Sequence, residues 1–312
     1  MKVPAKLAAY AVVLALVTGG GAAVGAAAGP IDVGGTASGD EGHDMAGDRD
    51  TGGTPADPAD DPGAPALPGG LAVAQDGYRL DVATTDVQGG RPARFRFRVL
   101  DDDGAPVTRF DVEHEKRLHL VVVGRDLVDY AHVHPAMADD GVWTVELPAL
   151  PAGSYRAFAD FAPTGGEPLT LGADLTVAGP TVAVDLPAPS HQAEVDGYVV
   201  SLDGEATPGE AELGFTVSLA GRTVRTDPYL GAAGHLVAIR DGDLAYLHIH
   251  PLDGEGDEVR FAAEFPSAGT YRLFLDFAHG GQVRTAAFTV EVPDRSTADE
   301  GPAPGGGHDE GH

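Results

Sequence analysis

Cysteine is absent from the 312-residue chain. That excludes disulfides, a lipid-modified N-terminal cysteine, a thiolate zinc site and a blue-copper centre, which needs a cysteine sulfur. Any transition metal must therefore be held by imidazole, carboxylate, thioether or backbone oxygen. Basic residues are scarce, with 20 Lys and Arg against 48 Asp and Glu and a formal charge of −28. A field of that sign excludes nucleic acid as a natural partner, because self-repulsion and phosphate repulsion add, and it favours cations. Amphipathic helical periodicity is missing after residue 28. The 44 glycines and 24 prolines imply many turns, while the 43% hydrophobic content suffices for cores in about two domains.

The one long apolar run lies at the start. Lys2 and Lys6 precede the uncharged stretch Leu7 to Ala28, which ends in Ala26-Ala27-Ala28. Residues 1–28 therefore read as a signal peptide or a membrane anchor, a hydrophobic helix in either case. Both readings place the remainder outside the cytoplasm, anchored to the cell membrane or secreted, because the lysines stay inside. Residues 29–70 carry Gly, Pro and Asp without apolar periodicity and read as a disordered acidic linker, and 294–312 read as a similar tail.

Between these segments the sequence repeats itself. His119, Tyr130, His132, His134 and Pro135 match His235, Tyr246, His248, His250 and Pro251 without a gap, at an offset of 116. Gly153-Ser154-Tyr155-Arg156 matches Gly269-Thr270-Tyr271-Arg272 at the same offset, and Asp160-Phe161 matches Asp276-Phe277. Each copy patterns as β. Ala93, Phe95, Phe97 and Val99 alternate with arginines, the period-two mark of a half-buried strand. Seven strands are expected in the first copy, near 78–82, 93–99, 118–123, 129–134, 142–147, 154–161 and 169–178. The Pro-Ala-Gly-Ser-Tyr and Pro-Ser-Ala-Gly-Thr-Tyr segments, 151–155 and 266–271, look like tyrosine corners. The expected fold is all-β: two tandem immunoglobulin-like or cupredoxin-like β-sandwiches, 71–180 and 187–293, each with its own strand set.

The chemistry lies in six histidines. Asp241-Gly242 between two strand-like runs signals a two-residue hairpin turn. Such a turn sets His235 opposite His248, with His250 on the same face two residues along. Applying the offset sets His119 opposite His132, with His134 beside it. Paired Cβ atoms about 4.5–5.5 Å apart let three imidazoles converge on one ion. One three-histidine site per repeat is therefore expected: His119, His132 and His134, then His235, His248 and His250. Imidazole donors suit copper or zinc, and three ligands leave a coordination position open. Neutral imidazole is the ligand, so binding should weaken below about pH 6.

Other residues rank behind these. Asp160 and Asp276, on the strand next to each histidine hairpin, are candidates to orient an imidazole. Tyr130 and Tyr246 share the histidine face and read as packing. His114 and His279 each occur in one copy; His279 is a candidate to overhang the second site. His43 with Met45, and His308 with His312, read as solvated linker. No glutamate recurs near the histidines to act as a base, so metal sequestration or delivery is expected rather than an enzyme. A structural adhesion or scaffold module and a metal-dependent enzyme are the alternatives. The expected partner is a transition-metal ion, with the membrane reached only through the N-terminal helix and no protein partner identified.

The segments His119-Leu120-Val121-Val122-Val123-Gly124 to His132-Val133-His134-Pro135 and His235-Leu236-Val237-Ala238-Ile239-Arg240 to His248-Ile249-His250-Pro251 resemble a family of exported two-repeat actinobacterial proteins, labelled uncharacterised or heavy-metal-associated. The resemblance covers about 71–293 and implies metal handling.

Overall fold

The alternating and doubly apolar runs fold as strands, and no helix occurs among the described residues of the computed structural model. The structure describes residues 68–84, 86–252 and 257–294, all within one compact unit, 63–312. The leader, most of the acidic linker, the tail, and with them His43, Met45, His308 and His312, lie outside the described residues. No helix among the described residues is long and apolar enough to cross a membrane.

Each repeat is a two-sheet sandwich. In the first, one sheet runs Ala74–Gln75, Tyr78–Val82, Ala93–Leu100, Trp143–Leu147, Ala136–Met137. The other runs Val87–Gln88, Leu169–Ala178, Gly153–Phe161, His119–Gly124, Tyr130–Val133. The second repeat copies this plan. Its histidine sheet runs Tyr246–His248, His235–Arg240, Gly269–His279, Gln282–Val292, and Glu258–Phe265 lies in the opposite sheet. All seven expected strands of the first repeat are present. Both tyrosine corners form: the Tyr155 hydroxyl donates to the Pro151 carbonyl at 2.9 Å, and Tyr271 to Ser267 at 3.0 Å.

Each sandwich has its own core. Phe95, Phe97, Trp143, Ala157 and Leu171 fill the first, and Phe215, Phe261, Leu273 and Phe288 fill the second. A third apolar cluster joins the repeats. Val121, Val123, Leu127 and Phe158 of the first pack against Val237, Ile239, Leu244, Tyr246 and Phe274 of the second. The cause is visible along the strand His119–Gly124, which is buried at every position. Leu120 and Val122 point into their own sandwich, whereas Val121 and Val123 belong to the joining cluster. Successive strand residues face opposite sides, so an unbroken apolar run requires cover on both. The second repeat provides it.

Tyrosines and phenylalanines cross this junction in a reciprocal pattern. Tyr130 stacks on Phe274 with centroids 4.1 Å apart, and Tyr246 lies 5.3 Å from Phe158.

A histidine cluster at the junction of the repeats

The histidine hairpins form with a register shifted by two residues from the sequence expectation. His132 faces Val121 rather than His119, and His248 faces Val237 rather than His235. The turn is the reason. Arg240 N donates to Ala245 O, closing a four-residue loop over Asp241 to Leu244 instead of a two-residue turn at Asp-Gly. Leu244 takes a left-handed conformation, φ 62°, as does Leu127 in the first repeat, φ 59°. Both leucines are buried in the joining cluster, which offsets the cost of positive φ. A shift of two preserves the face, so in the first repeat His119, His132 and His134 still emerge together. That face is the one turned toward the other repeat.

In the first repeat the expected triad assembles. The donor nitrogens of His119, His132 and His134 all lie within 4.8 Å of one another. His119 Nδ1 is 3.0 Å from His132 Nε2 and 3.2 Å from His134 Nε2. Two nitrogens bound to one ion at about 2.0–2.1 Å are separated by roughly 2.9–3.4 Å. His119 and His235, both buried, hold equivalent positions, but the side chains of His248 and His250 lie outside the described residues. His250's backbone pairs with Ala262 of the opposite sheet.

The outer nitrogens decide the tautomers. His119 Nε2 faces the Glu113 carbonyl at 3.3 Å, and His235 Nε2 faces the matching Tyr229 carbonyl at 3.2 Å. A carbonyl only accepts, so each Nε2 carries the proton and each Nδ1 offers a lone pair. His132 Nδ1 donates to Asp276 Oδ2 at 2.8 Å, directing Nε2 at His119. Bare nitrogens of His119 and His132 would thus confront each other at 3.0 Å. A metal ion shared by the two nitrogens would relieve that repulsion.

Asp276 reaches His132 from the other repeat. The sequence reading placed Asp160 and Asp276 beside the hairpin of their own repeat, where strand pairing indeed sets His119 against Asp160 and His235 against Asp276. The joined faces bring the carboxylate of one repeat to an imidazole of the other. The Asp276 carboxylate also accepts from the Thr285 hydroxyl and, at 3.4 Å, from Tyr130. Tyr246 is hydrogen-bonded to Asp160 across the same junction.

His114 enters the cluster without any sequence signal beyond being a histidine. It sits with Glu115 in a tight turn, both at positive φ, 45° and 63°. Its ring centroid is 5.1 Å from His235 and 6.1 Å from His119. A small cavity is lined by His114, His119, His132, Asp160 and His235. His279 plays no part in it and instead meets the Tyr198 hydroxyl at 2.8 Å.

Burial controls the protonation of the ring nitrogens. It lowers His134 to about 3 and His119 and His235 to about 4, each helped by the neighbouring His132. Protons then compete with a metal for these three rings at a lower pH than the value of about 6 expected for ordinary imidazoles. In metal-free protein the unfolded chain binds more protons than the folded one between pH 6.5 and about 4. Stability therefore falls as pH drops through that window. Chemical denaturation of chelator-treated protein at pH 7, 5.5 and 4.5 measures this, and a flat profile would contradict it.

The family model described as a domain of unknown function, DUF8832, matches residues 72–179 and 193–294, one copy per repeat. No curated protein matches the chain. Among solved structures, a DUF4426 family protein from Pseudomonas aeruginosa is similar at 14% identity and TM-score 0.27, over 34% of this chain and 100% of that one. The adhesin FdeC from Escherichia coli is similar at 18% identity and TM-score 0.25, over 71% of this chain and 66% of its own. Yersinia pseudotuberculosis InvD is similar at 12% identity and TM-score 0.24, over 71% and 58%. Likeness of this size carries no functional argument.

Proposed function

The chain belongs to the DUF8832 family through both of its repeats, and on that premise we propose that it is an extracytoplasmic metal-binding protein that sequesters or delivers copper or zinc. One observation carries the reading: three imidazole nitrogens at ligand-to-ligand spacing, with the outer nitrogens of two of them held by acceptors. Such outer partners fix ring orientation and raise ligand basicity, as metal-binding histidines generally require. Neutral imidazole is a borderline donor favouring Cu(II) and Zn(II). The ligands are His119, His132 and His134, and by the repeat also His235, His248 and His250. The basic-apolar start at residues 1–28 supports export, as signal peptide or anchor. Binding rather than turnover is proposed, because no glutamate recurs near the histidines in the sequence and the aspartate beside them, Asp276, serves to hold the His132 ring.

Elemental analysis of protein purified from cells grown with copper and zinc tests the reading. Retention of one to two equivalents after dialysis is expected, in the membrane or medium fraction. Metal-free protein that takes up neither ion at neutral pH would overturn it.

A further inference from the structure

The first triad is not contained within its own repeat. His132 holds its ring against Asp276, which is only 2% exposed and belongs to the second repeat. Thr285, also from the second repeat, holds the other carboxylate oxygen. Tyr130, two residues before His132 on the same strand, spans the same junction by stacking on Phe274 and bonding to Asp276. His235 of the second repeat lies over the triad, its centroid 6.0 Å from His119 and 6.3 Å from His132. Along the contact, the nine-residue apolar cluster supplies the remaining attachment.

We propose that an ion bound at His119, His132 and His134 clasps the two repeats together, with Asp276 of the second repeat as the positioning residue for His132 of the first. This clasp presupposes the metal-binding reading above. Its physical basis is linkage. The ion binds tightly only when His132 presents Nε2, and that tautomer is fixed by a carboxylate present only when the repeats are docked. Whatever docking does for the ion, the ion must do equally for docking. Asp276 is also a buried anion whose nearest donors are an imidazole and two hydroxyls. A cation on the far nitrogen of that imidazole compensates the charge, which an apolar junction otherwise leaves costly.

The test uses the full chain carrying H248A/H250A, so that only the first triad is read, with Zn(II) alone as the probe. Adding D276N, which keeps size and shape, should weaken zinc binding about 10–100-fold. D276L, which removes the acceptor, should weaken it at least as much and move the His132 imidazole proton from Nδ1 to Nε2 in long-range nitrogen–proton spectra. Saturating zinc should slow amide exchange at Val121, Val123, Val237 and Ile239 together, and the protection of Val237 and Ile239 should vanish in D276N at equal zinc occupancy. Unchanged zinc affinity in both Asp276 variants, or protection confined to the first repeat, would refute the clasp while leaving the triad standing. Absence of zinc binding in the unsubstituted protein would instead remove the triad reading itself.

Discussion

Replacing His132 and His134 together with alanine is expected to abolish one equivalent of tight copper or zinc binding and leave any other equivalent in place. Loss of an outer partner of a ligand already costs about 10–100-fold in affinity, so loss of two ligands should exceed about a hundredfold. The two positions differ in what else they do. His132 is hydrogen-bonded to buried Asp276, and its removal strands that carboxylate oxygen at a cost of roughly 1–3 kcal/mol in stability. His134 is half-buried and lies at the edge of the cluster, touching the His119 ring nitrogen. His134→Ala alone should therefore weaken binding with little loss of stability. Isothermal titration of metal-free protein, paired with urea denaturation, separates the two effects. If both variants bind as tightly as the parent, the bound metal belongs to the acidic surface and the triad is decoration.

Phe158→Ala and Phe274→Ala should each destabilise the protein by about 3–5 kcal/mol, although neither residue belongs to the interior of a sandwich. Phe158 is fully buried and Phe274 nearly so, in the cluster that joins the repeats. Each contacts a tyrosine of the opposite repeat, Phe158 meeting Tyr246 and Phe274 stacking on Tyr130. Truncation removes that contact and leaves a void between two rigid sheets that cannot collapse onto it. Because each sandwich keeps its own core, a weakened junction should let the repeats unfold in separate transitions. Urea unfolding followed by Trp143 fluorescence reports the first repeat, and far-ultraviolet circular dichroism reports both. Valine to alanine at exposed Val182 should change stability by no more than about 0.5 kcal/mol. Equal, negligible losses at Phe158, Phe274 and Val182 would show that the junction contributes nothing to stability.

The strand set, the repeat and the shared face of the histidines were determined by the sequence alone. Period-two alternation at Phe95, Phe97 and Val99, and the corner tyrosines Tyr155 and Tyr271, depend on local geometry that every strand and turn obeys. The histidine face survived an error in register because a displacement of two residues does not change sides. The run Leu120-Val121-Val122-Val123 carries the unbroken apolar pattern of a strand covered on both faces, and it is buried throughout. Only the tertiary structure decided what the cover is. Joining the two histidine faces gave His132 the carboxylate of Asp276, 144 residues away, in place of Asp160 on its own neighbouring strand. It also drew His114 beside His235. Neither partner is separated from its histidine by a spacing that strand or turn geometry fixes. The docking of two surfaces sets both, and a one-dimensional pattern carries no record of which surfaces meet.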